Sequence, residues 1–181
     1  MTKAKENNYA FIDSQNLNLS IQEQGWNLDF GRFGRYIEDR FFVTKAFLFI
    51  GFVYEHQTMY TYLQKAGYIL VFKPTLILPN EKVKGNVDAD LVLHAMIEYP
   101  RYDKAVIVTG DGDFHCLVEY LEKKNKLERL VVPNKYKYSS LLRRFSHWIT
   151  FLNGTKEKLG RNFEMKKRHS LGTNPSGSLL S

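Results

Sequence analysis

A chain of 181 residues that is 44% hydrophobic and 14% aromatic holds enough apolar material for one domain with a full core, and is short for two. The single cysteine, Cys116, excludes an internal disulfide and a cysteine-based zinc site. No run reaches membrane-span length, and the polar opening residues leave no apolar signal-peptide core, so a soluble cytoplasmic protein is expected. The net charge is +7, and the stretch 153–181 carries six Lys and Arg against two Glu; charge alone therefore leaves open both an ordinary basic protein and one with a polyanionic partner.

Tyr9 to Asp13 reads as a buried strand, since β-favouring Tyr, Phe and Ile crowd a short run, and Ser14 and Asn16 behind it suit an Asx-type turn. Asp29 is placed to cap a helix in which Phe33, Tyr36 and Ile37 share a face. Lys45 to Val53 is a second apolar strand, interrupted by Gly51. A helix over 56–66 follows, with Leu63 and Ala66 in its stripe and Gly67 ending it, and Tyr68 to Phe72 is a third strand. Pro79-Asn80 is expected to turn a flap between Leu76–Leu78 and Lys82–Lys84. Then come a helix from Val87 to Met96, a strand from Ala105 to Val108, a helix from Phe114 to Lys123 and a strand from Leu127 to Val132. In the second of these helices Phe114, Leu117, Val118 and Leu121 mark one face, which must pack on a sheet. Ser139 or Ser140 caps a short helix bearing Leu141, Leu142 and Phe145, and His147 to Leu152 reads as an edge strand.

Strands alternating with helices imply parallel βαβ units, so the expected fold is a Rossmann-like three-layer α/β domain with a mostly parallel central sheet. It spans 1–152, and 153–181 reads as a basic, polar C-terminal tail. Four acids stand where apolar segments end: Asp13 after the first strand, Asp111 and Asp113 after Ala105–Thr109, and Asp88 at the start of a helix. In a doubly wound sheet such positions converge on one crevice. Gathered carboxylates disfavour one another's ionisation, and a hard divalent cation with oxygen ligands, Mg²⁺ or Mn²⁺, relieves that.

Three stretches carry the pattern: Phe11-Ile12-Asp13-Ser14-Gln15-Asn16, Lys84-Gly85-Asn86-Val87-Asp88-Ala89-Asp90-Leu91 and Val108-Thr109-Gly110-Asp111-Gly112-Asp113-Phe114. In content and order they resemble the NYN domain family, a branch of the PIN-like ribonucleases that includes the LabA-like proteins, over about residues 9–152. The resemblance implies a PIN-like sheet and Mg²⁺- or Mn²⁺-dependent cleavage of RNA, with Asp13, Asp88, Asp111 and Asp113 as catalytic metal-site acids. It makes Asn16 a polar partner of Asp13 and Thr109 a hydroxyl feeding the paired acids. Where many relatives carry further aspartates this chain has His94 and His147, which puts a second metal site in doubt.

Phosphodiester hydrolysis needs a deprotonated water and neutralised phosphoryl and leaving oxygens, which suits such an acid cluster. Helical spacing sets Asp88 with Leu91, Val92 and Ala95 on an inward face and Asp90 nearly opposite, beside His94 and Glu98, as a surface residue. Lys84 is a candidate phosphate contact, and Arg143 and Arg144, with Tyr136 and Tyr138 upstream, mix cations with rings as single-strand binders do. The tail cluster Lys166–Arg168 is a further candidate for phosphates. Each has a structural rival. Asp113 also suits a helix cap, Asn16 and Ser14 a turn, Thr109 an ordinary strand position, and Lys84 a solvated loop. Cys116 reads as a buried thiol, and the five histidines lack metal-like spacing.

The expected function is a metal-dependent ribonuclease acting on single-stranded RNA. The alternative is a weakly active or inactive RNA-binding, regulatory module of the same fold. An α/β phosphatase with Asp13 as nucleophile is disfavoured by Gln15, where a second Asp is normally required. Oligomeric state is left open, a homodimer included.

Overall fold

The computed structural model describes residues 6–73 and 87–161; the expected flap, Lys84 and the Lys166–Arg168 cluster lie outside them. Six strands form one parallel sheet: β1 (Asn8–Asp13), β2 (Val43–Gly51), β3 (Tyr68–Lys73), β4 (Ala105–Val108), β5 (Leu127–Val132) and β6 (Ile149–Phe151). Their order is β3-β2-β1-β4-β5-β6. The chain winds outward from β1 through β2 to β3, then returns to the other side of β1 with β4. That reversal leaves a crevice beyond the carboxyl ends of β1 and β4.

β1 is buried along its whole length, as a central strand covered on both faces must be. Ala10 and Ile12 enter one apolar cluster, while Tyr9 and Phe11 enter the other. The first cluster is closed by α1 (Ser14–Gln22) and α2 (Phe30–Phe41), through Leu17, Ile21, Phe33 and Ile37. α3 (Gln57–Lys65) adds Leu63. α4 (Val87–Ile97) and α5 (His115–Lys123) close the second, with Leu91 and Ala95 from one and Leu117, Val118 and Leu121 from the other. The alternating strand faces thus make a three-layer domain, as expected.

Local signals explain several element ends. The Asp29 carboxylate accepts the Arg32 N–H at 3.0 Å and starts α2, and Gly67, at φ +93°, ends the α3 segment in a conformation that suits glycine. The Ser139 hydroxyl accepts the Leu141 N–H at 3.3 Å and opens a 3-10 segment, Ser140–Trp148, that buries Leu142 and Phe145. Two helices were not expected. α1 occupies the stretch read as a turn, and α6 (Lys156–Leu159) lies in the stretch grouped with the tail by composition. Leu159 is fully buried, its carbonyl accepts the Asp29 N–H at 2.8 Å, and Leu28 bridges Gly160 in antiparallel fashion. Residues 156–161 therefore pack onto the body.

Candidate active site

Asp13 is the last residue of β1, lies beside Phe49 in the β2 register and is 5% exposed. Its Oδ1 accepts the Asn16 backbone N–H at 3.1 Å, which caps α1. The Asn16 side chain reaches the other way, its Oδ1 accepting the Gly110 N–H at 2.8 Å just past β4. Thr109 completes the clasp: its hydroxyl donates to Asp13 Oδ2 at 3.5 Å and accepts the Asp111 N–H at 3.1 Å. One short network thus ties the ends of β1 and β4 together at the topological switch.

Asp111 Oδ1 accepts the Asp113 N–H at 3.0 Å and opens the 3-10 turn Gly112–Phe114 that leads into α5. A side chain at position 112 would fall 2.8 Å from Ser139 Cβ, closer than atoms pack, so the turn needs glycine there. The Ser139 N–H donates to the Gly110 carbonyl at 3.0 Å, which seats the segment after β5 against the acid loop.

The four aspartates feel one another. Burial raises the Asp13 carboxyl above its ordinary range and the Asn16 N–H pulls it back; Asp88 and Asp111 push it up again, against Lys73. Burial likewise raises Asp88, with Asp111 and Asp113 adding to the rise and Lys73 opposing it. Like charges are therefore concentrated here, as the chain pattern implied. Their geometry is looser than implied: among the described residues no three acidic, histidine or cysteine side chains are set to hold a metal ion. Asp13 and Asp111 each commit one oxygen to a backbone N–H, and Asp113 is exposed.

Lys73, which the sequence reading passed over, belongs to this constellation. It ends β3 opposite Gly51, and strand alternation puts it on the sheet face of Val71, Phe49 and Asp13. Gly51, between them on that face, carries no side chain. The lysine is 4% exposed, and its Nζ has no hydrogen-bond partner among the described residues. Burial lowers its pKa, while Asp88, Asp90 and Asp13 pull it up. A buried, unsatisfied ammonium is costly, so its presence beside the acids points to a local demand for positive charge. The available signal was a lysine closing an apolar strand; only strand order reveals its neighbours. The donor chemistry fits a hard cation, since all four acids offer oxygen alone.

Several expected placements change. Asp90 is half-buried and within the field of Lys73 rather than on the surface, because the His94 ring, one turn on, packs over the sheet at 5.5 Å from Phe49. Thr109 is wholly buried, so its hydroxyl braces the acids and does not face a substrate. Cys116 is exposed, on the outward side of α5. His147 is exposed beside Trp148. Arg143 and Arg144 are both exposed; Arg144 pairs with Glu119 at 3.1 Å, and Tyr136, 78% exposed, lies under the Lys135 ammonium at 4.9 Å. The Tyr138 Cβ lies within contact distance of the space beside Gly110. This basic and aromatic segment therefore begins at the wall of the acid loop.

Among solved structures, the crystal structure of a protein of unknown function, VPA0982, from Vibrio parahaemolyticus RIMD 2210633 is similar, with a TM-score of 0.70 at 21% identity over 85% of this chain and 98% of that chain. It shows a shared fold. No curated protein matches the chain significantly. The model of the NYN domain matches residues 9–152, from β1 through β6, with all four aspartates inside the match, so the chain belongs to the NYN domain family of PIN-like nucleases.

Proposed function

We propose that this protein is a metal-dependent ribonuclease of the LabA-like branch, with Asp13, Asp88, Asp111 and Asp113 holding Mg²⁺ or Mn²⁺ over the crevice between β1 and β4. The observation that carries the reading is the collection of like charges from three separate parts of the chain around the buried Lys73 ammonium, which has no hydrogen-bond partner among the described residues. Bound there, the cation would supply neutralisation of phosphoryl and leaving-group charge and help a water lose its proton. The chain's own residues set the stage. Asn16 and Thr109 hold Asp13 and Asp111 in fixed relation across the switch point. Lys73 adds a charge that opposes the build-up of negative potential as a phosphate arrives.

Single-stranded RNA fits the surroundings better than a duplex. The exposed Tyr136, Arg143 and Arg144 offer a ring and cations on a segment that starts at the acid loop, beside the half-buried Tyr138, which suits splayed bases and a backbone without sequence readout. Lys84 is an additional phosphate contact in this proposal.

A second reading has its own support: with no ready coordinating set among the described residues and a lysine already balancing the acids, the same surface serves an RNA-binding module with little turnover. Incubation of purified protein with labelled single-stranded RNA and DNA, in Mn²⁺, Mg²⁺ or EDTA and beside Asp13→Asn, separates the two. A nuclease gives RNA products that need the metal and fall by about 10²-fold or more in the variant, the scale of losing a main electrostatic contributor. Retained metal-dependent cleavage by Asp13→Asn overturns the assignment; salt-sensitive binding without products selects the module.

A further inference from the structure

On the other side of β1 and β2 from α4, the carboxyl ends of these strands border a cleft of about 380 Å³. Ser14 and Ile50 line it, each the next residue after one of the register-paired Asp13 and Phe49, so its inner end begins one residue from the acid cluster. We propose that this cleft receives the base of the RNA nucleotide next to the cleaved bond. The inference rests on the reading of the acid cluster as a phosphodiesterase site and adds a base-recognition subsite to it.

One wall of the cleft is a row of neutral amides, set among apolar residues such as Leu28, Phe30 and Met59. α1, Ser-Gln-Asn-Leu-Asn-Leu-Ser-Ile-Gln, contains no charged residue; it turns Leu17 and Ile21 into the core, while Ser14, Gln15, Asn18 and Gln22 face the cleft. A merely solvated helix face normally carries Lys and Glu. Asn27 adds a fourth amide, and none of these four side chains has a hydrogen-bond partner among the described residues. An amide presents a donor and an acceptor together, the pattern found on nucleobase edges, and Asn and Gln match such edges with two hydrogen bonds. A phosphate or a carboxylate, which only accepts, would leave the amide carbonyl oxygens facing it without donors.

The other walls fit the rest of a nucleotide. Tyr62 is held by its hydroxyl, which donates to Asp29 Oδ1 at 3.2 Å and accepts the Gly31 N–H at 3.2 Å, so its half-exposed ring is a fixed platform for a base. Arg161 is anchored by its Nε to the Leu28 carbonyl at 3.1 Å and by its backbone N–H to the Asn27 carbonyl at 3.0 Å. Its two terminal guanidinium nitrogens make no hydrogen bond or ion pair among the described residues and are placed for a phosphate.

The test uses the wild-type full chain in EDTA, where binding is read apart from cleavage. AMP, GMP, CMP and UMP are titrated, with ribose 5-phosphate and inorganic phosphate as base-free probes, and the side-chain amide resonances of Gln15, Asn18, Gln22 and Asn27 are followed by NMR. At least one nucleotide is expected to shift these amides in a saturable way that ribose 5-phosphate does not reproduce. Asn18→Leu should weaken that nucleotide about tenfold, with Gln15→Ala as the replacement if Asn18→Leu unfolds. Nucleotides that leave the α1 amides unmoved, equal shifts from ribose 5-phosphate, or wild-type affinity in the folded variant would each overturn the subsite. Failure of the nuclease reading shows elsewhere, as loss of metal-dependent RNA products with amide shifts intact.

Discussion

The Asp13 carboxylate caps α1 while lying buried beside Asp88 and Asp111, so its negative charge is held against desolvation and repulsion. Its folded pKa is raised above the ordinary 3.8, meaning that the native state binds this proton more tightly than the unfolded chain does. The stability it contributes is then complete below the unfolded pKa and is lost as pH rises through the folded one. Asn is neutral throughout and caps equally well. In metal-free buffer, Asp13→Asn should melt higher than wild type at pH 7, and the gap should close as pH falls below about 3.8, the unfolded reference. Melts across pH read this directly; an equal or lower midpoint at pH 7 would contradict buried repulsion. Lys73 offers the companion case. Lys73→Met removes a buried amine that has no hydrogen-bond partner among the described residues, so it should stabilise the protein by about 1–3 kcal/mol in urea titrations. RNA cleavage should drop at least tenfold in the same variant. A lysine that served packing alone would give the opposite pair of results.

At the level of elements, the junction between β1 and β4 depends on two short devices. Asn16→Ala leaves the Gly110 N–H without its 2.8 Å acceptor and should cost about 1–3 kcal/mol by chemical denaturation. Gly112→Ala drives a methyl into Ser139 and should cost a similar 1–3 kcal/mol, with Ser139→Gly in the same chain recovering part of the loss. No recovery would mean that backbone conformation, rather than the close approach, demands the glycine. These devices also mark the limit of what the chain shows before folding. All six strands were legible, because in a parallel sheet covered on both faces a strand is an almost unbroken apolar run, as Ala105–Val108 illustrates. α2 was legible from its Asp29 cap and periodicity, and α5 from periodicity alone, since the cap of the preceding turn is Asp111 rather than Asp113. α1 was not, since Leu17 and Ile21 are its only large buried side chains and its Ser and Asn residues favour turns. The acids were recognisable at strand ends, but their spacing was not, because it depends on side-chain torsions. Lys73 and the turning of Asp90 and His94 toward the sheet required knowing which strand lies under which helix.

Across the whole molecule, the excess of 26 cations over 19 anions becomes functional only where cations border the crevice. Removing Arg143 and Arg144 together should weaken RNA binding and flatten its salt dependence by up to about 1.4 in the slope of log K against log salt, the value for two phosphate contacts on a single strand. Because Arg144 already pairs with Glu119, its share should be the smaller of the two. An unchanged slope would place the strand elsewhere. The strand order has a consequence for how the protein is made. β1 sits in the middle of the sheet, yet one of its neighbours, β2, follows it closely while the other, β4, emerges only 32 residues after β3 ends. At about 5–20 residues per second, a nascent three-strand half-sheet waits roughly 2–6 s with the hydrogen-bonding flank of its innermost strand bare. During that interval the ribosome-bound chain presents Tyr9 to Ile12 to any other extended peptide, so slowed translation between Lys73 and Ala105 should favour aggregation more than the same pause placed after Val132.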